Sequence, residues 1–193
     1  MIAGTAVAIA LALVAHAMRP RPPLPIFGSV PEFHLVDERG APFDRGALTG
    51  HVSVVDFIFT RCQSSCPRLT ATMRVLQDRL ARAGSRAHLV SISVDPENDS
   101  PAVLAAYAER AHADPSRWSF VTGPADDVER AIVFGFKVSA AKVPSGANES
   151  DVTHGDWFVL VDQLGTLRGY YATDEPGALD MLVENVLRLE RAK

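Results

Sequence analysis

The sequence predicts an α/β domain of three layers built around a partly parallel sheet. Strand-length apolar runs alternate along the chain with stretches whose apolar residues recur at helical spacing, the pattern of helices packed on a sheet. Two of the runs, 52–59 (VSVVDFIF) and 87–94 (AHLVSISV), carry apolar residues on both faces, as strands covered by helices do. The chain has 193 residues, of which about the last 165 read as globular: one domain, large enough to bury a core without a covalent staple.

Taken in order, 33–40 (FHLVDERG) and Ala41-Pro42-Phe43 predict a short hairpin turning at Arg39-Gly40. The run 52–59 predicts a central strand. Pro67 opens a helix to about Ala83, with Leu69, Met73, Leu76 and Leu80 along one face and Gly84 as its stop. The run 87–94 predicts a second buried strand, closed by Asp95-Pro96. Asp99-Ser100-Pro101 supplies a cap and a first-turn proline for a helix to about His112. A strand over 118–122 and a helix over 125–134 follow. Residues 139–153 are polar and contain glycine and proline, which predicts a long loop, and loops of that length inside a compact domain are usually functional or disordered. Strands over 156–161 and 166–171, joined by a turn at 162–165, precede an amphipathic closing helix over 176–191. Internal repeats and low-complexity tracts are absent.

The N-terminus reads as a separate unit. Residues 2–18 are almost wholly apolar, broken only by Thr5 and His16, and Arg19-Pro20-Arg21-Pro22-Pro23 follows. At about 1.5 Å per residue this helix falls just short of the roughly 30 Å hydrocarbon core. Ala15-His16-Ala17 has the form of a small-residue cleavage site, but no positive charge precedes the apolar run. Cleaved signal peptide and uncleaved membrane anchor both remain open, with the anchor favoured. The expected organisation is residues 1–18 as leader or anchor, 19–30 as a stiff proline-rich linker and 31–193 as the domain. That arrangement places the domain on the non-cytoplasmic side of a membrane, the periplasm if the source is bacterial.

A net charge of −4 without any basic run argues against a nucleic-acid partner, whose phosphates call for a basic face. The two cysteines, Cys62 and Cys66, lie four apart. A structural disulfide generally closes a longer loop, so the spacing points to a redox or metal-binding pair. Placed between a buried strand and a helix, with Cys66 expected as the helix N-cap, both sulfurs would gain from unpaired N–H groups and the positive end of the helix dipole. Arg61 and Arg68 add positive charge. Two soft thiolates side by side suit Cu(I).

A metal on two thiolates usually takes a third ligand, and the histidines are weighed for it one at a time. His16 lies in the leader, His34 and His51 at strand starts, His88 within a strand and His112 at a helix end, all positions for surface or capping roles. His154 ends the long loop and immediately precedes a strand, where functional groups of α/β sheets gather.

The stretches 57–67 (FIFTRCQSSCP) and 91–101 (SISVDPENDSP), with Val152-Thr153-His154-Gly155, together resemble the Sco/SenC copper-chaperone family. Its pattern is Phe-Thr-x-Cys-x-x-x-Cys-Pro, then Ser-Val-Asp-Pro-x-x-Asp-Thr-Pro, then Asp-His-Ser before a strand. The resemblance spans about residues 31–190. It implies a thioredoxin-like fold, a copper ion held by Cys62, Cys66 and His154, and a part in assembling the copper centre of cytochrome c oxidase. Two departures stand out: Thr153 replaces the family's Asp and Gly155 its Ser. The first removes a carboxylate that would orient the imidazole.

Val55-Asp56-Phe57 resembles the Val-Asp-Phe of thioredoxin, where a buried aspartate assists proton transfer at the cysteine pair. A carboxylate inside an apolar strand needs a partner or a task. Either Asp56 lies at a sheet edge or against a basic side chain, or it is a proton acceptor for the pair. The leading expectation is a copper-delivering assembly factor whose partner is the copper-receiving subunit of cytochrome c oxidase or another exported thiol protein. The alternative is a thiol–disulfide oxidoreductase using Cys62, Cys66 and Asp56 on exported proteins. A peroxidase is disfavoured, since no Pro-x-x-x-Thr-x-x-Cys run precedes Cys62.

Overall fold

The computed structural model describes residues 22–136 and 156–192. The apolar leader and the segment holding Thr153, His154 and Gly155 lie outside the described residues. Among those residues no helix is long and apolar enough to cross a membrane.

Among the described residues the sheet has eight strands: β1 (Gly28–Ser29), β2 (His34–Asp37), β3 (Pro42–Asp44), β4 (Ser53–Ile58), β5 (His88–Ser93), β6 (Trp118–Thr122), β7 (Trp157–Val161) and β8 (Thr166–Ala172). Their order is β1-β8-β7-β4-β5-β6-β2-β3. The β4–β5 and β5–β6 pairs are parallel, and the others are antiparallel. β4 is therefore interior, which is why its two faces are both buried along its length.

Among the described residues four α-helices accompany the sheet: α1 (Cys66–Arg82), α2 (Pro101–Arg110), α3 (Ala125–Arg130) and α4 (Ala178–Arg191). One core layer joins Val54 and Ile58 of β4 to Leu69, Met73, Leu76 and Leu80 of α1, Leu104 of α2, and Leu182 and Val186 of α4. The other joins Val55 and Phe57 to Phe33, Ile132 and Phe136. Successive β4 side chains alternate between the layers, as the pleat requires. Each large apolar side chain so buried contributes about 1.5–3 kcal/mol.

Local signals act where the sequence places them. Gly84 takes φ +70, a left-handed conformation that costs glycine little, and ends α1 as Ser85 N–H reaches back to Leu80 O at 3.0 Å. Ser100 caps α2 by accepting from Val103 N–H at 3.4 Å.

Three details depart from expectation. The sheet begins inside the stretch read as a linker: β1 pairs with β8, and Arg168 donates to the carbonyls of Pro25 and Leu24 at 2.9 and 2.7 Å. A two-residue Gly-Ser strand offers no periodicity to read. Cys66 is the first residue of α1 rather than its cap; Ser65 precedes it, already in helical conformation and making no side-chain cap bond. The predicted helix over 125–134 is α3 followed by a π-helical turn, Ala131–Phe136, which brings Phe136 edge-on to Phe57 at 5.4 Å.

Candidate functional site

The cysteine loop leaves the C-terminal end of β4 and enters α1. Phe59-Thr60-Arg61-Cys62 forms a turn closed by Cys62 N–H donating to Phe59 O at 3.2 Å. Both cysteines are free; Cys66 is buried and Cys62 half-buried. The backbone N–H of Cys66 donates to Cys62 Sγ at 3.4 Å, and the Ser64 hydroxyl lies 3.5 Å from the same sulfur.

These surroundings divide the pair. Burial by itself would raise the Cys62 thiol, but hydrogen bonds from Ser64 and Cys66 outweigh it and bring the group down to about 7. Burial pushes Cys66 up to about 12, and its neighbours Cys62 and Asp56 add to the rise. At neutral pH the outer sulfur is thus about half thiolate while the inner one holds its proton. That is the asymmetry of a nucleophilic cysteine backed by a resolving one, and also of a soft donor pair with one ligand ready to bind metal.

Asp56 sits directly beneath, on the α1 side of β4. It is fully buried, neither at a sheet edge nor beside a basic side chain among the described residues, so the bland alternative raised by the sequence does not hold. Its Oδ1 accepts from the Ser91 hydroxyl across the β4–β5 register at 2.6 Å, and Ser91 Oγ accepts from Trp118 Nε1 at 2.9 Å. Its Oδ2 is buried and has no hydrogen-bond partner among the described residues. Burial pushes the carboxyl up to about 7, against the lowering effect of Ser91. Tyr107 of α2 closes over this region, its hydroxyl 2.8 Å from Thr70 Oγ1; burial raises that hydroxyl's pKa, with nearby Cys66, Asp56 and Cys62 adding to the rise.

Ser91, Trp118 and Tyr107 escaped the sequence reading. The only signal was the pair of hydroxyls, Ser91 and Ser93, inside an otherwise apolar strand. Two other histidines are accounted for: His51 and His88 pack edge-to-face, 5.7 Å apart, and His88 begins the strand parallel to β4, at the end of the sheet away from the cysteine loop.

His154 lies outside the described residues; Asp156, two residues further on, lies within them. Asp156 forms an ion pair with Arg68, two residues after Cys66, and its carbonyl accepts from Thr173 N–H at 2.8 Å. Among the described residues no group of three or more His, Cys, Asp or Glu side chains is placed to hold a metal. Cys62 and Cys66 supply two soft donors and leave any third to come from elsewhere.

The SCO1/SenC family model matches residues 27–188. A SCO1 protein homolog from Bacillus subtilis is 32% identical over 163 residues, covering 84% of this chain and 83% of that protein. Among solved structures, BsSco, described as a member of the Sco family of cytochrome c oxidase assembly proteins and as having a disulfide switch, superposes with TM-score 0.77 at 29% identity, covering 89% of this chain and all of that one. Yeast Sco1 with copper bound superposes with TM-score 0.69 at 28% identity, covering 88% and 95%. These likenesses carry the thioredoxin-like fold expected from the cysteine, Asp-Pro and histidine motifs. The extent of the family match and the identity with the Bacillus relative together make this chain a member of the SCO1/SenC family.

Proposed function

We propose that this chain binds copper through Cys62, Cys66 and His154 and delivers it to a copper-receiving subunit of cytochrome c oxidase. The observation that carries the reading is the divided cysteine pair at the start of α1 together with the Arg68–Asp156 ion pair. Arg68 lies two residues from Cys66 and Asp156 two residues from His154 in sequence, so the ion pair joins the chain segments that carry the proposed ligands. A neutral imidazole then completes a three-coordinate S₂N site suited to Cu(I). The copper-bound yeast relative is consistent with that cargo. Loading displaces the Cys66 proton, so metal binding to this pair is coupled to proton release. The N-terminal apolar segment serves as leader or anchor, with the domain on the non-cytoplasmic side.

A second reading, thiol–disulfide exchange on exported proteins, is favoured by one observation: the buried carboxyl of Asp56 beneath Cys66, raised to about 7. A disulfide switch is described for BsSco, a structure this chain resembles. The readings separate at His154. His154→Ala weakens Cu(I) binding at least tenfold and leaves the Cys62–Cys66 disulfide forming at a near-normal rate, measured by competition with a Cu(I) chelator and by exchange with glutathione. Loss of disulfide chemistry with copper affinity retained would make the oxidoreductase reading the better one.

A further inference from the structure

The stretch 91–101 contributes no ligand, yet it packs against the cysteine loop. Thr60 and Arg61 are the two central residues of the turn that ends on Cys62. Asp99, fully buried, receives both polar donors of Thr60: the N–H on Oδ2 at 3.1 Å and the hydroxyl on Oδ1 at 2.5 Å. The Ser93 hydroxyl donates to Asp99 Oδ2 at 2.5 Å and accepts from Asp95 N–H at 3.1 Å. Asp95 Oδ2 in turn takes Nε and an NH2 of Arg61 at 3.2 and 2.8 Å, while its Oδ1 takes Asn98 Nδ2 at 2.8 Å. The backbone N–H groups of Asn98 and Asp99 both return to Asp95 O. Two aspartates on one self-braced loop thus grip both central residues of the cysteine turn.

We propose that Asp99, assisted by Asp95, is a positioning residue that holds the Cys62 sulfur against the N–H of Cys66 and thereby sets the reduction potential of the pair. The inference deepens the reading of Cys62 and Cys66 as the working pair and rests on it. Helix capping does not explain Asp99, because Ser100 caps α2. Stability alone does not explain it either, since a buried carboxyl is a costly way to hold a loop unless its donors need a fixed place. The Cys66 N–H to Cys62 Sγ contact favours the sulfur as thiolate, which stabilises the dithiol form. A pair whose reduced form is stabilised is the more oxidising one. Loosening the turn removes that contact and shifts the balance toward the disulfide.

The test is the equilibrium of the full-length chain with glutathione. The Cys62–Cys66 dithiol gives two electrons and two protons to glutathione disulfide, the intramolecular S–S bond forms, and two glutathione thiols leave. Thr60→Val and Asp99→Asn each shift this constant toward the protein disulfide about tenfold, close to 30 mV for a two-electron couple. Arg61→Gln shifts it less, in the same direction. Thr60→Ser, which keeps the hydroxyl, returns within twofold of wild type. A purely structural clamp would lower the melting temperature of both redox forms and leave the constant unmoved; that result in Thr60→Val, or a shift toward the dithiol, overturns the proposal. Should Asp99→Asn fail to fold, Thr60→Val and Arg61→Gln decide the matter. Absence of copper uptake by the wild type would instead overturn the copper reading, because this equilibrium involves no metal.

Discussion

At the scale of single residues, the proposed chemistry involves three groups whose protons compete: Cys62, Cys66 and Asp56. Trp118 Nε1 can only donate, so Ser91 Oγ accepts from it and spends its own proton on Asp56 Oδ1. The acid proton of Asp56 therefore resides on Oδ2, the buried oxygen without a hydrogen-bond partner among the described residues. Asp56→Asn removes that exchangeable proton and should slow thiol–disulfide exchange at pH 7 by tenfold or more, while copper stoichiometry stays unchanged. Exchange rates followed from pH 6 to 9 check this, and rates equal to wild type throughout would reduce Asp56 to a structural role. Asp56 was visible in the sequence because a carboxylate in an apolar run demands explanation. Ser91 and Trp118 were not, because which side chains lie across from Asp56 depends on strand register, and register is a property of the assembled sheet.

At the scale of elements, α1 and the loops around its first turn do the work. The helix itself was legible from Leu69, Met73, Leu76, Leu80 and Gly84, whose spacing leaves little choice of face. Met73 is fully buried between α1 and the sheet, and Met73→Ala should cost about 2–5 kcal/mol in denaturant unfolding. Arg68 makes a useful contrast. Its side chain is 65% exposed, so its pair with Asp156 adds no more than about 1 kcal/mol of stability. Arg68→Gln should therefore leave the unfolding midpoint nearly unchanged yet, if the proposed tether operates, weaken Cu(I) affinity severalfold. A variant that loses stability but keeps copper affinity would argue against the tether. The sequence pointed to His154 from its place before a strand, but no spacing rule links residues 68 and 156. Likewise β1 and the π-helical turn before Phe136 are too short or too irregular to leave a periodic trace.

At the scale of the molecule, buried Asp56 and half-buried His88 set opposing pH dependences. Asp56 is held up at about 7 from an ordinary 3.8, so the folded state keeps a proton that the unfolded chain loses; stability from this group is full below about pH 4 and is lost as pH rises toward 7. His88 is pushed down to about 4 from 6.5, by burial first and then by His51 and arginine charges. Its stability is full above 6.5 and is lost as pH falls toward 4. Between about pH 4 and 6.5 the two slopes cancel. Asp56→Asn should unmask a rise in unfolding free energy with pH across that window, and His88→Gln a fall, each near 1.4 kcal/mol per pH unit at most. Urea unfolding at pH 4.5, 5.5 and 6.5 reads both slopes directly, and matching profiles in wild type and variants would contradict the assignment. Asp56 stood out in the sequence as a carboxylate in an apolar strand, whereas the shift at His88 did not, because its partial burial follows from how the rest of the chain covers the sheet.

The copper reading itself is tested most directly by titrating the reduced full-length protein with Cu(I) against a competing chelator. The account predicts uptake of one Cu(I) per chain, abolished when Cys62 and Cys66 are oxidised to the disulfide and abolished in a Cys62→Ser, Cys66→Ser double variant, since thiolates are the ligands. Undiminished Cu(I) affinity in that double variant would contradict it.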